Sequence, residues 1–430
     1  MDYLDRLIKG EIKPYQLESL FLAERNVSRN EWIEIEKRAQ FLRRRYYEFL
    51  VKRTENLPKI WDLEDKLIAP FSSPDCKPIG KPQIENCLIG SYGFVGPVII
   101  NGCFARGEYY PVLSTSETQL IRAVNAGASH AKKFGGVDTI VEDYGMTRAP
   151  LFKAISIEDA TNFIGFVKIN MHTMKKIIKH TMNHCRLMDI MPFVSERDIH
   201  LRMRFNTGES MGMNKATFAA HKLSKWLVSQ YGSNVSYKSV SGNMCTDKKQ
   251  TLINVILGRG KRVLTFLSIP IDYLDSYLAR DEKTVNDFID IVDSKNMGSD
   301  RAGGMIGSHN THVANVIGGM FPAYRQDNGH IVTSSMADKD VETNGRSLIY
   351  SLDMYCLEVG TVGGGIEYEP ANTLLQALGC RDLKTAKPYR YSARKFAEII
   401  GATALCAELG TDLALTRGVL ADYHEEATRR

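Results

Sequence analysis

The stretch Val240-Ser-Gly-Asn-Met-Cys-Thr-Asp-Lys-Lys-Gln250 has neither a helical nor an alternating apolar pattern. It runs into an apolar segment, Leu252-Ile-Asn-Val-Ile-Leu257, that reads as a strand, with Val263–Leu267 as its hairpin partner across Gly258-Arg-Gly-Lys261. Asp247, Lys248 and Lys249 thus set three charges beside a segment expected to be buried, and buried charge is costly unless paired or used. Alone, the stretch reads as a solvated loop carrying a surface lysine pair. Two further runs shift that balance: Thr207-Gly-Glu-Ser-Met-Gly-Met-Asn214 upstream and Glu358-Val-Gly-Thr-Val-Gly-Gly-Gly365 downstream.

The surrounding chain is ordinary for a globular protein, with 430 residues, 43% hydrophobic and 24% charged. That length implies two or three structural units and a large core. The net charge of +5 is mild, and no dense basic face with interleaved aromatics suggests a nucleic-acid partner. A small positive surplus suits substrates bearing phosphates and carboxylates. The eight cysteines are scattered without a Cys-x-x-Cys pair or zinc-type spacing, so free thiols, a cytoplasmic location and no metal are expected. No signal peptide is evident and no apolar run nears the ~18 residues of a membrane span, so a soluble protein without a membrane partner is expected.

Upstream of the opening stretch, residues 1–75 read as helical, with a charged amphipathic segment from about Glu31 to Lys52 whose Arg43-Arg-Arg45 is a solvated face. Val98–Cys103 reads as a strand entering an Asn-Gly turn. Ser114 and Glu117 have capping-box spacing before a helix. Ala160–Leu187 reads as one amphipathic helix, His200–Phe205 as a short strand and Met211–Tyr231 as a long helix. Gly208 and Gly212 open that helix, so backbone N–H groups can approach a pyrophosphate there. Downstream, Ile271–Asp293 reads as a charged helix, and a second helix starts at Gly307-Ser-His-Asn-Thr-His-Val-Ala-Asn315 and ends near Pro322, before Gln326-Asp327. Strands surround the Asn344-Gly345 turn. Helices follow at Pro370–Gly379 and Ser392–Leu409, where Gly401-Ala-Thr-Ala404 implies close helix packing. The last ten residues read as a polar, mobile tail.

The three quoted runs, with Pro14-Tyr-Gln-Leu-Glu18, Glu85–Gly90, Tyr144–Pro150 and the Asn310, His312, Asn315 spacing, resemble the 3-hydroxy-3-methylglutaryl-coenzyme A reductases of the archaeal and eukaryotic catalytic-domain type. The resemblance covers nearly the whole chain from Pro14. It implies an α+β fold with a helical N-terminal region (1–75), a large α/β domain for a coenzyme A thioester (76–154 and 240–420), an inserted ferredoxin-like domain for the nicotinamide cofactor (155–239) and a C-terminal flap (421–430). It also implies a homodimer, or a tetramer of dimers, with the active site at the subunit interface.

By the same resemblance Lys248 is the cation facing the reacting carbonyl, Asp327 holds it protonated, Glu117 completes the ionic network and gives a proton at the aldehyde step, and His424 protonates the departing thiolate. Ser241, Asn243, Asp247, Lys249, Lys295, Asn310, His312, Asn315 and Lys153 are matched to substrate contacts. Asn183, Gly208, Glu209, Met211, Gly212, Met213, Asn214, Gly363, Gly364, Gly365 and Arg429 are matched to NADPH, with NADH as an alternative. Several positions depart from the family pattern. Lys153 and Asn183 stand where relatives carry Arg, as does Ala126. Glu209 replaces Asp, and the loop from Gly90 to Gly96-Pro97 is about four residues short. Arg and Lys are not interchangeable at a bidentate carboxylate, so a paralogue reducing a different acyl thioester is the alternative reading.

Overall fold

The computed structural model describes residues 3–12, 16–17, 20–21, 39, 42, 91–368, 370–385 and 387–428. Glu85–Gly90, all of Glu31–Lys52 except Ala39 and Leu42, and most of the Pro14–Glu18 match lie outside those residues. The chain divides into two compact units, residues 1–88 with 368–387, and residues 89–367 with 388–430. In the first, α1 (Tyr3–Ile8) contributes Leu7 to an apolar cluster with Ile12, Leu17, Phe21, Ala39 and Leu42.

The second unit begins with β1 (Tyr92–Phe94), β2 (Val98–Gly102), β3 (Arg106–Tyr109), β4 (Val112–Ser114) and α2 (Thr118–Lys133). Then come β5 (Val137–Arg148), β6 (Leu151–Ala154), α3 (Ile157–Ile169), α4 (Met171–Thr181), β7 (Arg186–Ser195), β8 (Asp198–Asn206), α5 (Met213–Tyr231) and β9 (Val235–Ser239). The rest comprises α6 (Leu252–Leu257), β10 (Gly260–Pro270), α7 (Ile271–Leu278), α8 (Val285–Arg301), α9 (Val313–Ala323), α10 (Ile331–Ser334), β11 (Ala337–Thr343) and β12 (Ser347–Leu357). After α11 (Ala371–Ala377) of the first unit come α12 (Ser392–Thr416) and α13 (Leu420–Thr428).

A ten-stranded sheet runs β11-β12-β10-β5-β8-β6-β9, with β2 parallel to β5, β3 on β2 and β7 on β8. Strand β5 is long enough to serve two neighbourhoods: residues 138–145 pair with β10, and 146–148 with β8. Around β6 to β9 the connections through α3, α4 and α5 give a β-α-β-β-α-β order. Those helices cover one continuous apolar cluster that includes Phe152, Phe163, Met203 and Leu223.

At the centre lies α12, which is 94% buried over its most apolar window. Its small residues let backbones meet. A Cβ on Gly127 of α2 would come within 1.9 Å of the Cys406 carbonyl, and one on Gly410 within 2.1 Å of the Ala123 carbonyl. The same helix buries three carboxylates, Glu398, Glu408 and Asp412. Glu398 accepts the N–H groups of Cys103, Phe104 and Ala105, closing the turn after β2.

Several local expectations are overturned. Leu252–Leu257 is a helix, not a strand. Buried Asn254 accepts from Thr246 and donates to the carbonyls of Thr246 and Lys249, so the chain coils back, and Leu252 and Ile256, one turn apart, face outward. β10 therefore pairs with β5 and β12 instead. The helix expected over Ala160–Leu187 breaks at Asn170, whose side chain donates to the Phe166 carbonyl at 2.9 Å, and β7 starts at Arg186. Ile271–Asp293 is interrupted before a capping box formed by Thr284 and Asp287. The helix expected from Gly307 starts at Val313, because the Glu408 carboxylate holds the N–H groups of Thr311, His312 and Val313. No capping box forms at Ser114, since Glu117 is itself the N-cap residue of α2 and donates its N–H to Thr115. The tail expected to be mobile is helical in α13, and Gln119 of α2 donates to the Tyr423 carbonyl.

Two glycines separate packing from propensity. Gly127→Ala is expected to destabilise the protein by about 1–3 kcal/mol or more through overpacking. Gly298, exposed in α8 with nothing within 4 Å of an added Cβ, should give a gain of up to about 1 kcal/mol on conversion to Ala. Urea unfolding of both variants checks the pair.

Candidate active site

The loop before α6 is tightly coiled. Asn243, Thr246 and Lys248 all have positive φ, at 65°, 55° and 59°. Non-glycine residues rarely occupy this region, and clusters of them mark functional sites. The Thr246 N–H donates to the Asn243 carbonyl at 2.8 Å, and Ser241 Oγ lies 3.5 Å from Cys245 Sγ.

Beneath the loop lies Arg259, fully buried between Gly258 and Gly260, both also at positive φ. Its Nε donates to Glu358 at 2.6 Å and Nη2 to Asp247 at 3.0 Å, while Nη1 reaches Thr147 Oγ1 at 2.7 Å and the Cys245 carbonyl at 2.8 Å. Burial alone would lower the pKa of this guanidinium, but Glu358 and Asp247 outweigh it and raise it. Burial likewise pushes the Glu358 carboxyl up, and Arg259 and His330 overcome this to hold it below its usual value.

At the mouth of this charged floor, Lys248 Nζ lies 3.6 Å from Asp327 Oδ2, with both side chains about half exposed. Asp327 caps the short 3-10 turn Asn328–His330, accepting the Gly329 N–H at 2.9 Å. The Lys248 side chain runs flat over Gly329: an added Cβ there would meet Cε at 2.8 Å and Nζ at 2.9 Å. Fully buried His330 lies below, facing Asp327, Asp247 and Glu358. Asp247, His330 and Glu358 bring ligand atoms within 4.8 Å of one another, as a metal site would. The Arg259 guanidinium already bonds both carboxylates, so their charge is met without an ion. Lys249 is exposed and donates to the Asp247 carbonyl at 3.2 Å.

A second cluster gathers around the start of α9. His312 is the N-cap residue, and its Nδ1 lies 3.1 Å from Asn315 Nδ2. Asn310 donates to the Ala337 carbonyl at 2.9 Å. Lys295 reaches Asp412 at 2.7 Å and Thr311, and buried Lys339 binds both Asp412, at 2.6 Å, and Glu408, at 3.0 Å. Burial lowers the pKa of Lys295 and of His312. For His312 the charges of Glu408 and Glu117 act against burial, so exposed Glu117 lies within electrostatic reach of this cluster.

The cofactor-matched residues form a third group. Ser210 bridges to Val362, and a Cβ on Gly360 would sit 2.2 Å from the Met211 nitrogen, so the 208–214 and 360–365 loops lie back to back. Gly363 and Gly364 have open space around them, and Gly365 lies against Arg325. Asn183 is exposed in the turn next to His184, the residue nearest Gly208. Gly212 starts α5 with no side-chain cap, Met213 lies 3.0 Å from Arg259, and Asn214 is exposed in the first turn. The Glu209 carboxylate is turned the other way. It accepts the N–H groups of Tyr391 at 2.9 Å and Ala393 at 2.8 Å, capping α12.

Three expected participants lie on elements other than the Lys248 loop. Among the described residues Glu117 forms no ion pair with Lys248 or Asp327. Lys153 binds Asp198 at 2.9 Å on the edge of the sheet. His424 is exposed on α13, one residue beyond the Tyr423 held by α2. Arg429 lies outside the described residues. The buried members of the network, Arg259, His330, Glu358, Lys339, Glu408 and Asp412, were not singled out from the sequence. For Arg259 a signal was available, an arginine between two glycines at the head of an apolar strand.

Arg259→Met should leave the buried Glu358 without its guanidinium partner, while Asp247 keeps Arg148 at 3.2 Å, and cost about 3–5 kcal/mol. The folded pKa of Glu358 is depressed, so its stabilising contribution is present above the ordinary carboxylate range and is lost as pH falls through the folded value. The stability of the wild type should therefore fall on acidification more steeply than that of the variant, measured by urea titration across acidic pH.

The family model described as hydroxymethylglutaryl-coenzyme A reductase matches residues 51–429. The 3-hydroxy-3-methylglutaryl-coenzyme A reductase of Methanocaldococcus jannaschii is 35% identical, with 100% of this chain and 99% of that protein covered. That of Methanothermobacter thermautotrophicus is 32% identical over 100% of both. Among solved structures, the class II 3-hydroxy-3-methylglutaryl-CoA reductase of Streptococcus pneumoniae bound to NADPH gives a TM-score of 0.58 at 15% identity, covering 94% of this chain and 98% of that one, a likeness of fold. The matched residues span the loops of all three clusters, and the chain belongs to the hydroxymethylglutaryl-coenzyme A reductase family.

Proposed function

We propose that this protein reduces 3-hydroxy-3-methylglutaryl-CoA to mevalonate and free coenzyme A, using two hydrides from NAD(P)H. The observation that carries the reading is the Lys248–Asp327 pair, half exposed above the buried Arg259 with its two carboxylate partners. A thioester carbonyl under hydride attack gathers negative charge on oxygen, and a fixed cation stabilises it most where no reorganisation is needed. Lys248 is that cation. Asp327 holds it from one side and Gly329 gives it a flat bed.

The α5 start fits a dinucleotide phosphate: its first N–H groups lack a side-chain cap, and Gly208 has no neighbour closer than 3.8 Å to an added Cβ. Gly208, Met211 and Asn214 with the 363–365 glycines would hold the cofactor, which supplies hydride when bound. In this reading residues 155–239 carry the nicotinamide cofactor, residues 76–154 and 240–420 carry the thioester, and α13 brings His424 to the leaving thiolate. Ser241, Asn243, Lys249, Lys295 and His312 hold the substrate, and Glu117 gives the proton at the aldehyde step.

Within one chain Glu117 does not meet Lys248, which supports a homodimer, alone or paired into a tetramer, whose second copy completes the site. Leu252 and Ile256 of α6, at 46% and 69% exposure beside the Lys248 loop, give such a copy an apolar face. Contrary to the sequence expectation, α12 is long and apolar enough to cross a membrane, but its burial in the core supports a soluble enzyme, and free cysteines among the described residues fit a cytoplasmic one. The Lys153–Asp198 pair favours a second reading, a different acyl thioester, because this lysine is already engaged.

The deciding assay supplies 3-hydroxy-3-methylglutaryl-CoA with NADPH or NADH and follows nicotinamide absorbance and free thiol. Oxidation of neither cofactor overturns the proposal, and activity only on other acyl thioesters moves it to the second reading. Lys248→Ala should keep fold and cofactor binding while turnover falls on the order of 10²-fold or more. Lys249→Ala should chiefly raise KM, and the reverse pattern would exchange the two roles. His424→Gln keeps size and hydrogen bonding without proton delivery. It should lose most activity on the thioester yet reduce the free aldehyde at near wild-type rate, whereas equal loss on both substrates would assign His424 to positioning.

A further inference from the structure

The two carboxylate oxygens of Asp327 are held differently. One accepts the Gly329 N–H at 2.9 Å, while Oδ2 lies between Lys248 Nζ at 3.6 Å and His330 Nε2 at 3.3 Å. His330 is completely buried, so it has no route to a substrate lying above Lys248. Its Nδ1 faces Glu358, and its Nε2 also looks toward Asp247 at 3.6 Å. Burying a ring with two polar nitrogens is costly unless both find partners, and an apolar side chain would fill the same volume without that cost. Here neither nitrogen makes a regular hydrogen bond, but each lies within ion-pair distance of a carboxylate oxygen, and the ring spans from the Arg259–Glu358 pair in the floor to Asp327 at the mouth.

We propose that His330 is a positioning residue. By engaging Oδ2 it fixes the direction in which Asp327 presents its charge to Lys248, and so holds the Lys248 ammonium over Gly329. The proposal rests on reading Lys248 as the cation of the reduction. Asp327 is 43% exposed, and Oδ2 has no backbone donor among the described residues. Removing the Nε2 contact therefore lets the carboxylate rotate about Cβ–Cγ toward solvent and carry the lysine with it.

Two substitutions divide the ring. Gln places its amide N–H group near Nε2 and restores a donor to Asp327, whereas Asn places its own near Nδ1 and serves only Glu358. His330→Gln should keep kcat within about threefold of wild type. His330→Asn should lower kcat by about tenfold or more with KM for both substrates little changed, as expected when a group seen only in the transition state is misplaced. In an Asp327→Asn background, His330→Asn should add little further loss, because the two act as a unit. Urea unfolding of the four proteins in that cycle gives a second reading, in which the pair should also be coupled. Equal kcat loss in the Gln and Asn variants, full multiplication of the two losses, or an effect confined to KM would overturn the proposal. If the wild type reduces no thioester, the functional reading fails by itself, and coupling or additivity in unfolding still decides whether His330 holds Asp327.

Discussion

A single guanidinium with no exposure to solvent holds the site together. Arg259 bonds Thr147 on β5, the Cys245 carbonyl and Asp247 in the coiled loop, and Glu358 at the end of β12. Isolated in a low-dielectric interior this charge would be prohibitive. It is tolerated because the fork of donors meets two carboxylates and two oxygens that are fixed by strands or by a folded loop. The dependence runs both ways, since the loop carrying Lys248 has three non-glycine residues at positive φ and needs an anchor below it to stay in that shape.

The same design recurs along α12. An apolar helix at the middle of the fold carries Glu398, Glu408 and Asp412, and each reaches sideways to something irregular. Glu398 gathers the turn after β2, Glu408 the approach to α9, and Asp412 the pair Lys295 and Lys339. Regular structure at the core thus positions loops by charge-assisted hydrogen bonds, while Gly127 and Gly410 bring α2 and α12 close enough for the frame to be stiff. The candidate side chains end up on loops, and two of those segments, the turn after β2 and the approach to α9, are tied to a helix buried in the core.

How much of this was legible in the sequence depended on the range of the interaction. Lys248 with Asp327 was readable only through the family resemblance of the two segments, since alone the loop read as a solvated lysine pair. The strand assigned to Leu252–Leu257 failed where local reading is weakest: Ile and Val argue for a strand, but one buried Asn, bonded to the loop behind it, decides for a helix. Arg259 and Glu358 are 99 residues apart, and nothing in the neighbourhood of either names the other. Capping of α9 was invisible for the same reason, since its donors come from residues 311–313 and its acceptor is Glu408, on another helix. Close packing of α12 was readable in its small residues, and the acids among them were the clue left unused.

Glu209 ties the loop before α5 to the first turn of the central helix through the N–H groups of Tyr391 and Ala393 and the Ser392 hydroxyl. The loop and the helix terminus therefore share one free energy. Any rearrangement that swings Glu209 out of the 208–214 segment exposes helix-end amides that otherwise exchange slowly with solvent, and any ligand that steadies the segment slows their exchange. Deuterium uptake at the start of α12, in the interior of the fold, thus becomes a gauge of what occupies a surface loop 182 residues earlier in the chain.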